Sequence, residues 1–325
     1  MKFFIKQVLL LCVTVTCALA SPPQKLSVLS YNLWGANAVV KEMASLIIDI
    51  KPGIEFDDSR FSDISAELGK QSYDVVALQE VLTKKQVATM RSTRGFKFRA
   101  IGPSLKDRNI NSGLLVLSKW PIIRKKTMVF SYCDGFECLA SKGAMLVTID
   151  VPSLGKIDVL NTHLNSIHDA ALRKSQLGEL LRFVRKYNTV NPLLALGDFN
   201  IDPDVKELLG FQKTLGLRDA FVDSHYLNTS IFVDYDGFTW DAVNNPHTKS
   251  DTILKVARIF PSSINRKVIN NYVTTSNVRR RIDYTFYKNS RSSRLYPVES
   301  VLAFTEPVNG RILSDHFALE TVFEY

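Results

Sequence analysis

Six short polar motifs follow apolar runs in this chain, and their side chains are the ones chemistry would need. They are Ser30-Tyr31-Asn32-Leu33-Trp34, Leu78-Gln79-Glu80-Val81, Asn161-Thr162-His163-Leu164-Asn165, Gly197-Asp198-Phe199-Asn200, Arg281-Ile282-Asp283-Tyr284 and Ser314-Asp315-His316. A carboxylate or imidazole next to a buried strand is costly unless it is paired or at work. Six of them predict a shared polar floor at one edge of a sheet. Its contents suit cleavage of a phosphate ester. Glu80 and Asn32 offer the oxygen ligands that Mg²⁺ prefers, and His163 and His316 titrate near neutral pH. In Gly197-Asp198-Phe199-Asn200, strand alternation would point Asp198 and Asn200 one way with Phe199 packed behind them. The chain has no H-E-x-x-H or cysteine-rich zinc pattern, no G-x-S-x-G elbow and no glycine-rich nucleotide loop.

The elements that must carry these motifs are short. Strands are expected at 26–31, 75–78, 96–101, 113–118, 144–150, 157–161, 193–196, 282–287 and 316–323. Helical periodicity is expected at 39–50, 61–70, 84–91, 170–187 and 204–215. Continuous apolar runs such as Val75-Val76-Ala77-Leu78 stand beside clean alternation at Phe317, Leu319, Thr321 and Phe323, which suits two packed sheets with helices outside. No linker composition divides residues 21–325, so one domain is expected.

Residues 1–20 read as an export signal, with Lys2 and Lys6, an apolar stretch, and Ala18-Leu19-Ala20 before Ser21. A secreted or periplasmic protein is therefore expected. Losing those two lysines lowers the net charge from +9 to +7. A basic balance favours an anionic partner without choosing among phosphate, nucleic acid and a membrane surface. Cys133 and Cys138, the two cysteines beyond the signal, enclose four residues and are expected to form a small disulfide-closed loop. The stretch 251–281 carries seven basic residues against Asp251 and reads as a long basic excursion. Asn228-Thr229-Ser230 is a glycosylation sequon only in a host with that machinery.

In this order, the six motifs resemble the endonuclease/exonuclease/phosphatase superfamily of Mg²⁺-dependent phosphoesterases, which includes DNase I. The resemblance implies a four-layered α/β sandwich with the active site at one end. Three further stretches resemble secreted neutral sphingomyelinases: 113–122 through Ser118-Lys119-Trp120-Pro121-Ile122, 139–143 through Ser141-Lys142-Gly143, and 238–245 through Thr239-Trp240-Asp241. It implies hydrolysis of sphingomyelin to ceramide and phosphocholine. His316 would be the base, oriented by Asp283; Asp198 and Asn200 would position water and phosphate, and His163 would bond a phosphate oxygen or protonate the leaving group. Glu80, Asn32 and Asp315 would hold Mg²⁺, with Mn²⁺ or Co²⁺ able to replace it, while Asn165, Lys142, Trp240 and Asp241 would contact substrate. The expected partner is a phospholipid at a membrane surface, and the expected state is a monomer with no obligate protein partner. The alternatives are a DNase I-like nuclease, which would act on nucleic acid, and a phosphoinositide phosphatase. The interval 304–313 lacks the adjacent aromatic pair found on the membrane-entering hairpin of bacterial sphingomyelinases.

Overall fold

The computed structural model describes residues 23–35, 59–105, 110–166, 170–188, 190–228, 237–248 and 278–325. The expected export signal, the expected helix at 39–50, most of the basic excursion and most of the sequon lie outside these residues. Two six-stranded mixed sheets form the centre. The first holds β1 (Lys25–Asn32), β2 (Val75–Gln79), β3 (Phe98–Ile101), β4 (Leu115–Ser118), β13 (Tyr296–Ala303) and β14 (Ala318–Glu324), in the order β13-β14-β1-β2-β4-β3. The second holds β5 (Ile122–Val129), β6 (Gly143–Val151), β7 (Gly155–His163), β8 (Leu193–Asp198), β9 (Arg218–Asp219) and β12 (Asp283–Lys288), in the order β5-β6-β7-β8-β12-β9. A two-stranded ribbon pairs β10 (Trp240–Asp241) with β11 (Arg279–Arg280).

Both sheets are built alike. Each has one parallel pair at its centre, β1–β2 in the first and β7–β8 in the second, flanked by antiparallel neighbours. The carboxyl ends of the parallel strands and the amino ends of β12 and β14 therefore lie at one end of the molecule. All six motifs sit there.

Period-two alternation explains the layering. Leu26, Val28, Val75, Ala77 and Val116 face Met145, Val147, Val159, Leu194 and Leu196 in the core between the sheets. The intervening Leu29, Tyr31, Val76 and Leu78 turn outward, onto Phe61, Ile64 and Leu68 of α1 (Arg60–Leu68) and Met90 of α2 (Lys84–Arg91). On the far side, Leu146, Leu160 and Ala195 pack against Leu177, Leu180 and Val184 of α3 (Ala170–Tyr187) and Leu208 and Phe211 of α4 (Lys206–Leu215). The result is the expected α/β/β/α sandwich.

Besides the two-residue strands β9, β10 and β11, three elements depart from the expected set. β5 reads Ile122-Ile123-Arg124-Lys125-Lys126-Thr127-Met128-Val129; it is an edge strand whose exposed lysines protect an open ladder and, with the part-buried Arg124 paired to Asp158, hide its pattern. β13 is the opposite kind of case, an edge strand holding Pro297 and a bulge between Pro297 and Glu299. A fifth helix, α5 (Ala220–Asn228), packs beside β12 and β13 although it has almost no amphipathic periodicity. Among the described residues, no helix is long and apolar enough to cross a membrane.

Candidate active site

Below the polar end, a buried pair stitches the sheets together. Gln79 of β2 donates to Asn161 of β7 (2.8 Å), and Asn161 donates to the carbonyls of Leu78 (2.9 Å) and Leu115 (3.2 Å). Two of the sequence motifs thus include a structural rivet just beneath the chemistry.

Above it the reactive groups form one network. His316 donates from Nδ1 to Asp283 Oδ2 at 2.7 Å, which turns its Nε2 toward Asp198 Oδ2 at 3.8 Å. The same Asp198 oxygen lies 3.4 Å from His163 Nε2 and accepts from Asn32 Nδ2 at 3.0 Å. Asp198 and Asp283 are register partners on β8 and β12, so strand pairing itself sets the two carboxylates side by side. Asn200 does not continue β8: it takes a left-handed φ of 52°, its N–H donates to Asp198 Oδ1 (2.8 Å), and its amide donates to the Leu164 carbonyl (3.1 Å). Strand alternation is thus replaced by a tight turn, with Phe199 fully buried behind it as expected.

Lys142 is buried, and its ammonium donates to His163 Nε2 (3.0 Å), the Leu164 carbonyl (3.0 Å) and Glu137 Oε1 (2.5 Å). These three acceptors match its three donors. The contact requires a lone pair on His163 Nε2, so this imidazole is neutral. Burial, then Lys142 and His316, hold the pKa of His163 well below the usual value. His316 goes the other way. Burial opposes its charge, but Asp283, Asp315 and Asp198 outweigh it and raise its pKa to about 10. Two histidines close in space thus take opposite protonation states. Asp198 is pushed up to about 7 by burial and then by Asp283.

The metal expectation rests on Glu80, Asp315 and Asn32. Asp315 is raised to about 7 chiefly by burial, with the neighbouring Glu80 carboxylate adding to it. Asp283 Oδ1 is buried with no hydrogen-bond partner in the protein. Oxygen-rich, mutually repelling carboxylates of this kind fit a hard divalent cation. Asp198, Asp283 and His316 also place one ligand atom each within 4.8 Å of one another. Asn32 is arranged differently from the expectation. Its amide nitrogen faces Asp198 and, at 3.5 Å, Glu80 Oε1, while its oxygen accepts from the Trp34 N–H (3.0 Å). Here it orients both carboxylates as a donor.

Glu80 is held in a left-handed conformation, φ 58°, and two glycines make that possible. A Cβ on Gly35 would stand 1.7 Å from the Glu80 carbonyl oxygen, and one on Gly113 would stand 3.0 Å from its Cα and N.

The expected substrate contacts separate into two groups. Lys142 belongs to the network, and the Asn165 side chain is buried beside it with neither amide atom bonded to the protein. Asp241 lies outside the network: its oxygens accept from Val243 N–H, Asn244 N–H, Asn244 Nδ2 and Arg279 Nε, a turn-closing role. Trp240 contributes through its backbone, which bridges to His316.

Some functional residues were not visible in the sequence. Glu137 lies inside the loop closed by the Cys133–Cys138 disulfide and bonds both Lys142 and the Ser166 N–H (3.0 Å). Arg60 at the start of α1 is buried, donating to the carbonyls of Leu33, Trp34 and Leu313 and so tying the Asn32 and Asp315 loops together. The five-residue spacing of Glu137 and Lys142 around a cysteine was the one available signal; Arg60 gave none.

An inositol phosphosphingolipids phospholipase C of Schizosaccharomyces pombe is 26% identical over 334 residues, covering 92% of this chain and 68% of that protein. Sphingomyelin phosphodiesterase 5 of Danio rerio is 29% identical over 173 residues, covering 44% of this chain and 32% of its own length. A sphingomyelinase C of Bacillus cereus is 26% identical over 180 residues, half of each chain. The chain thus spans only part of these curated relatives. In fold, it is similar to beta toxin of Staphylococcus aureus (TM-score 0.63, 20% identity, 91% of this chain and 99% of that one). It is equally similar to Danio rerio TDP2 complexed with single-strand DNA product (TM-score 0.64, 17% identity, 93% and 99%). The description "Endonuclease/Exonuclease/phosphatase family" matches residues 29–316. That span runs from β1 to His316 and takes in every strand end the network uses, so the chain belongs to the endonuclease/exonuclease/phosphatase family.

Proposed function

We propose that the chain is an exported, Mg²⁺-dependent phosphodiesterase that cleaves sphingomyelin to ceramide and phosphocholine. The observation that carries the catalytic part is the continuous array Asp283, His316, Asp198, His163 and Lys142 beside Glu80 and Asp315. The sphingolipid part is supported by the relative aligned over 92% of the chain, which is named for phosphosphingolipids. Export is supported by residues 1–20 and by the disulfide.

A divalent cation at Glu80 and Asp315, when bound, would neutralise phosphate charge and the charge developing on the leaving oxygen. Asp283 fixes the tautomer and direction of His316, leaving Nε2 aimed into the site. The surrounding carboxylates favour imidazolium there, so His316 can accept a proton from water only once those carboxylates are neutralised. Asp198 Oδ2 stands between the two imidazoles, 3.4 Å from His163 Nε2 and 3.8 Å from His316 Nε2. His163 is kept neutral by burial and then by Lys142, whose three donors are taken up by His163, the Leu164 carbonyl and Glu137. Asn200 and Asn32 hold Asp198 from either side.

A nuclease is the second reading, favoured by the net charge of +7 that remains without residues 1–20. Purified protein assayed with Mg²⁺ and with chelator against sphingomyelin, phosphatidylcholine, phosphoinositides and DNA separates the two. Mg²⁺-dependent phosphocholine release from sphingomyelin is expected. DNA cleavage with sphingomyelin untouched would overturn the lipid reading.

A further inference from the structure

Exposed large apolar side chains among the described residues are scattered singly at Ile123, Val190, Leu209, Val243 and Tyr296, with one exception. Tyr132 (66% exposed) and Leu139 (37%) flank the same disulfide. The bridge sets the Cα atoms of Cys133 and Cys138 5.1 Å apart. At 3.8 Å per residue, the Cα atoms of Tyr132 and Leu139 cannot then be more than about 13 Å apart.

This pair stands at the rim of the active site. Between its two members lies Glu137, which bonds the Lys142 ammonium that in turn donates to His163. The base of the loop is fixed to α3: Gln176 donates to the Tyr132 carbonyl (3.2 Å), and Ser131 donates to Glu179 from its N–H (3.0 Å) and hydroxyl (2.9 Å). The same helix carries Arg173 one turn before Gln176, where its guanidinium donates to the Asn165 carbonyl (3.4 Å). The covalently closed, anchored loop thus presents a largely exposed aromatic side chain, Tyr132, with the partly exposed aliphatic Leu139 beside the same bridge. Tyrosine beside basic residues is the composition of a membrane–water interface.

The segment that could otherwise meet a bilayer is turned inward. Phe304 stacks on buried Tyr31 (5.1 Å between ring centres), and the tight turn at Val308–Arg311 is tied to Asp63 of α1 through Arg311 and Asn309.

We propose that the Cys133–Cys138 loop is the membrane-docking element, placing Tyr132 and Leu139 in the interfacial layer of a phospholipid bilayer so that the site meets the lipid head group. The proposal rests on the lipid reading given above. The full chain, in chelator to prevent turnover, is sedimented with phosphatidylcholine/sphingomyelin vesicles and compared with a Tyr132→Ser, Leu139→Ser double variant and with Tyr132→Trp. Removing two interfacial side chains should weaken vesicle binding by about tenfold or more, while hydrolysis of detergent-dispersed lipid stays at the wild-type rate. Tyr132→Trp should bind at least as well as wild type. Equal vesicle binding by wild type and the double variant, or none by wild type, overturns the proposal. If the loop governs vesicle binding but only DNA is cleaved, the docking surface stands and the substrate reading falls.

Discussion

Replacing Gly35 with alanine tests whether the position of Glu80 is set by backbone contact. The added Cβ would meet the Glu80 carbonyl oxygen at 1.7 Å, against the 3.0 Å that real Cβ contacts respect, so the backbones must part by at least about 1.3 Å. Retreat is limited on the other side, where the next residue, Val81, donates its N–H to the Gly113 carbonyl (2.9 Å). Gly35 cannot withdraw freely either, because its carbonyl accepts from Gln86 (3.2 Å), the residue that completes the capping box of α2. The displacement therefore falls on the Glu80 carboxylate. A misplacement of about 1 Å in a catalytic group costs on the order of 10²-fold in rate. Overpacking costs about 1–3 kcal/mol of stability as well. The assay is kcat/KM for phosphodiester hydrolysis across a divalent-metal titration, with a thermal melt alongside. Gly210→Ala is the control: it lies inside α4 with nothing within 4 Å of its Cβ direction, and should gain about 0.5–1 kcal/mol with activity unchanged. A Gly35→Ala protein with wild-type rate and an unmoved metal midpoint would refute the reasoning.

Other expectations follow from the same geometry. His316→Ala should lose ~10²–10⁴-fold in rate and Asp283→Asn less, since Asp283 acts through the imidazole; a His316→Ala enzyme within a few-fold of wild type moves the proton transfer to Asp198. A divalent cation at a hundredfold excess over its Kd should stabilise the fold by about 2.7 kcal/mol in a melt, and Glu80→Gln with Asp315→Asn should abolish that shift without any activity readout. An unchanged shift places the cation elsewhere, with Asp198, Asp283 and His316 the next set. His247 has its pKa lowered by burial first and by Arg60, against the pull of the Ile312 carbonyl. Its neutral form is the folded one, so its contribution is complete above about pH 6.5 and is lost as pH falls below that value. His247→Phe should therefore flatten the acid side of the melting curve, and an equally steep decline would assign that slope to other groups.

The layering was readable because buried strands here are long apolar runs, and Val75–Gln79 or Leu193–Asp198 has no other physical explanation. The convergence of the candidate residues was readable for a related reason: a carboxylate or imidazole at the end of such a run has to be paired or functional. β5 escaped notice because an edge strand needs charges on its open side, and those charges erase the alternation that marks a strand. Glu137 and Arg60 escaped for a different reason. Their partners lie on other segments, and nothing local at either position announces a contact with Lys142 or with the Leu33 and Leu313 carbonyls. Asp241 was over-read, since a carboxylate followed three residues later by an amide equally describes a closed turn.

The pairing of β1 with β14 has a consequence for the timing of activity. Asn32 belongs to the first strand among the described residues, yet its carbonyl accepts from Ser314, and β1 gains its antiparallel neighbour only when residues 318–324 arrive. Contacts of such sequence separation close late in folding. Asn32 and Ser314 stand 282 positions apart, so synthesis must pass Ser314 before His316 and Asp315 can meet the groups donated from β1 and β2. Cutting the chain within β14 is therefore expected to dismantle the network without altering any of its side chains.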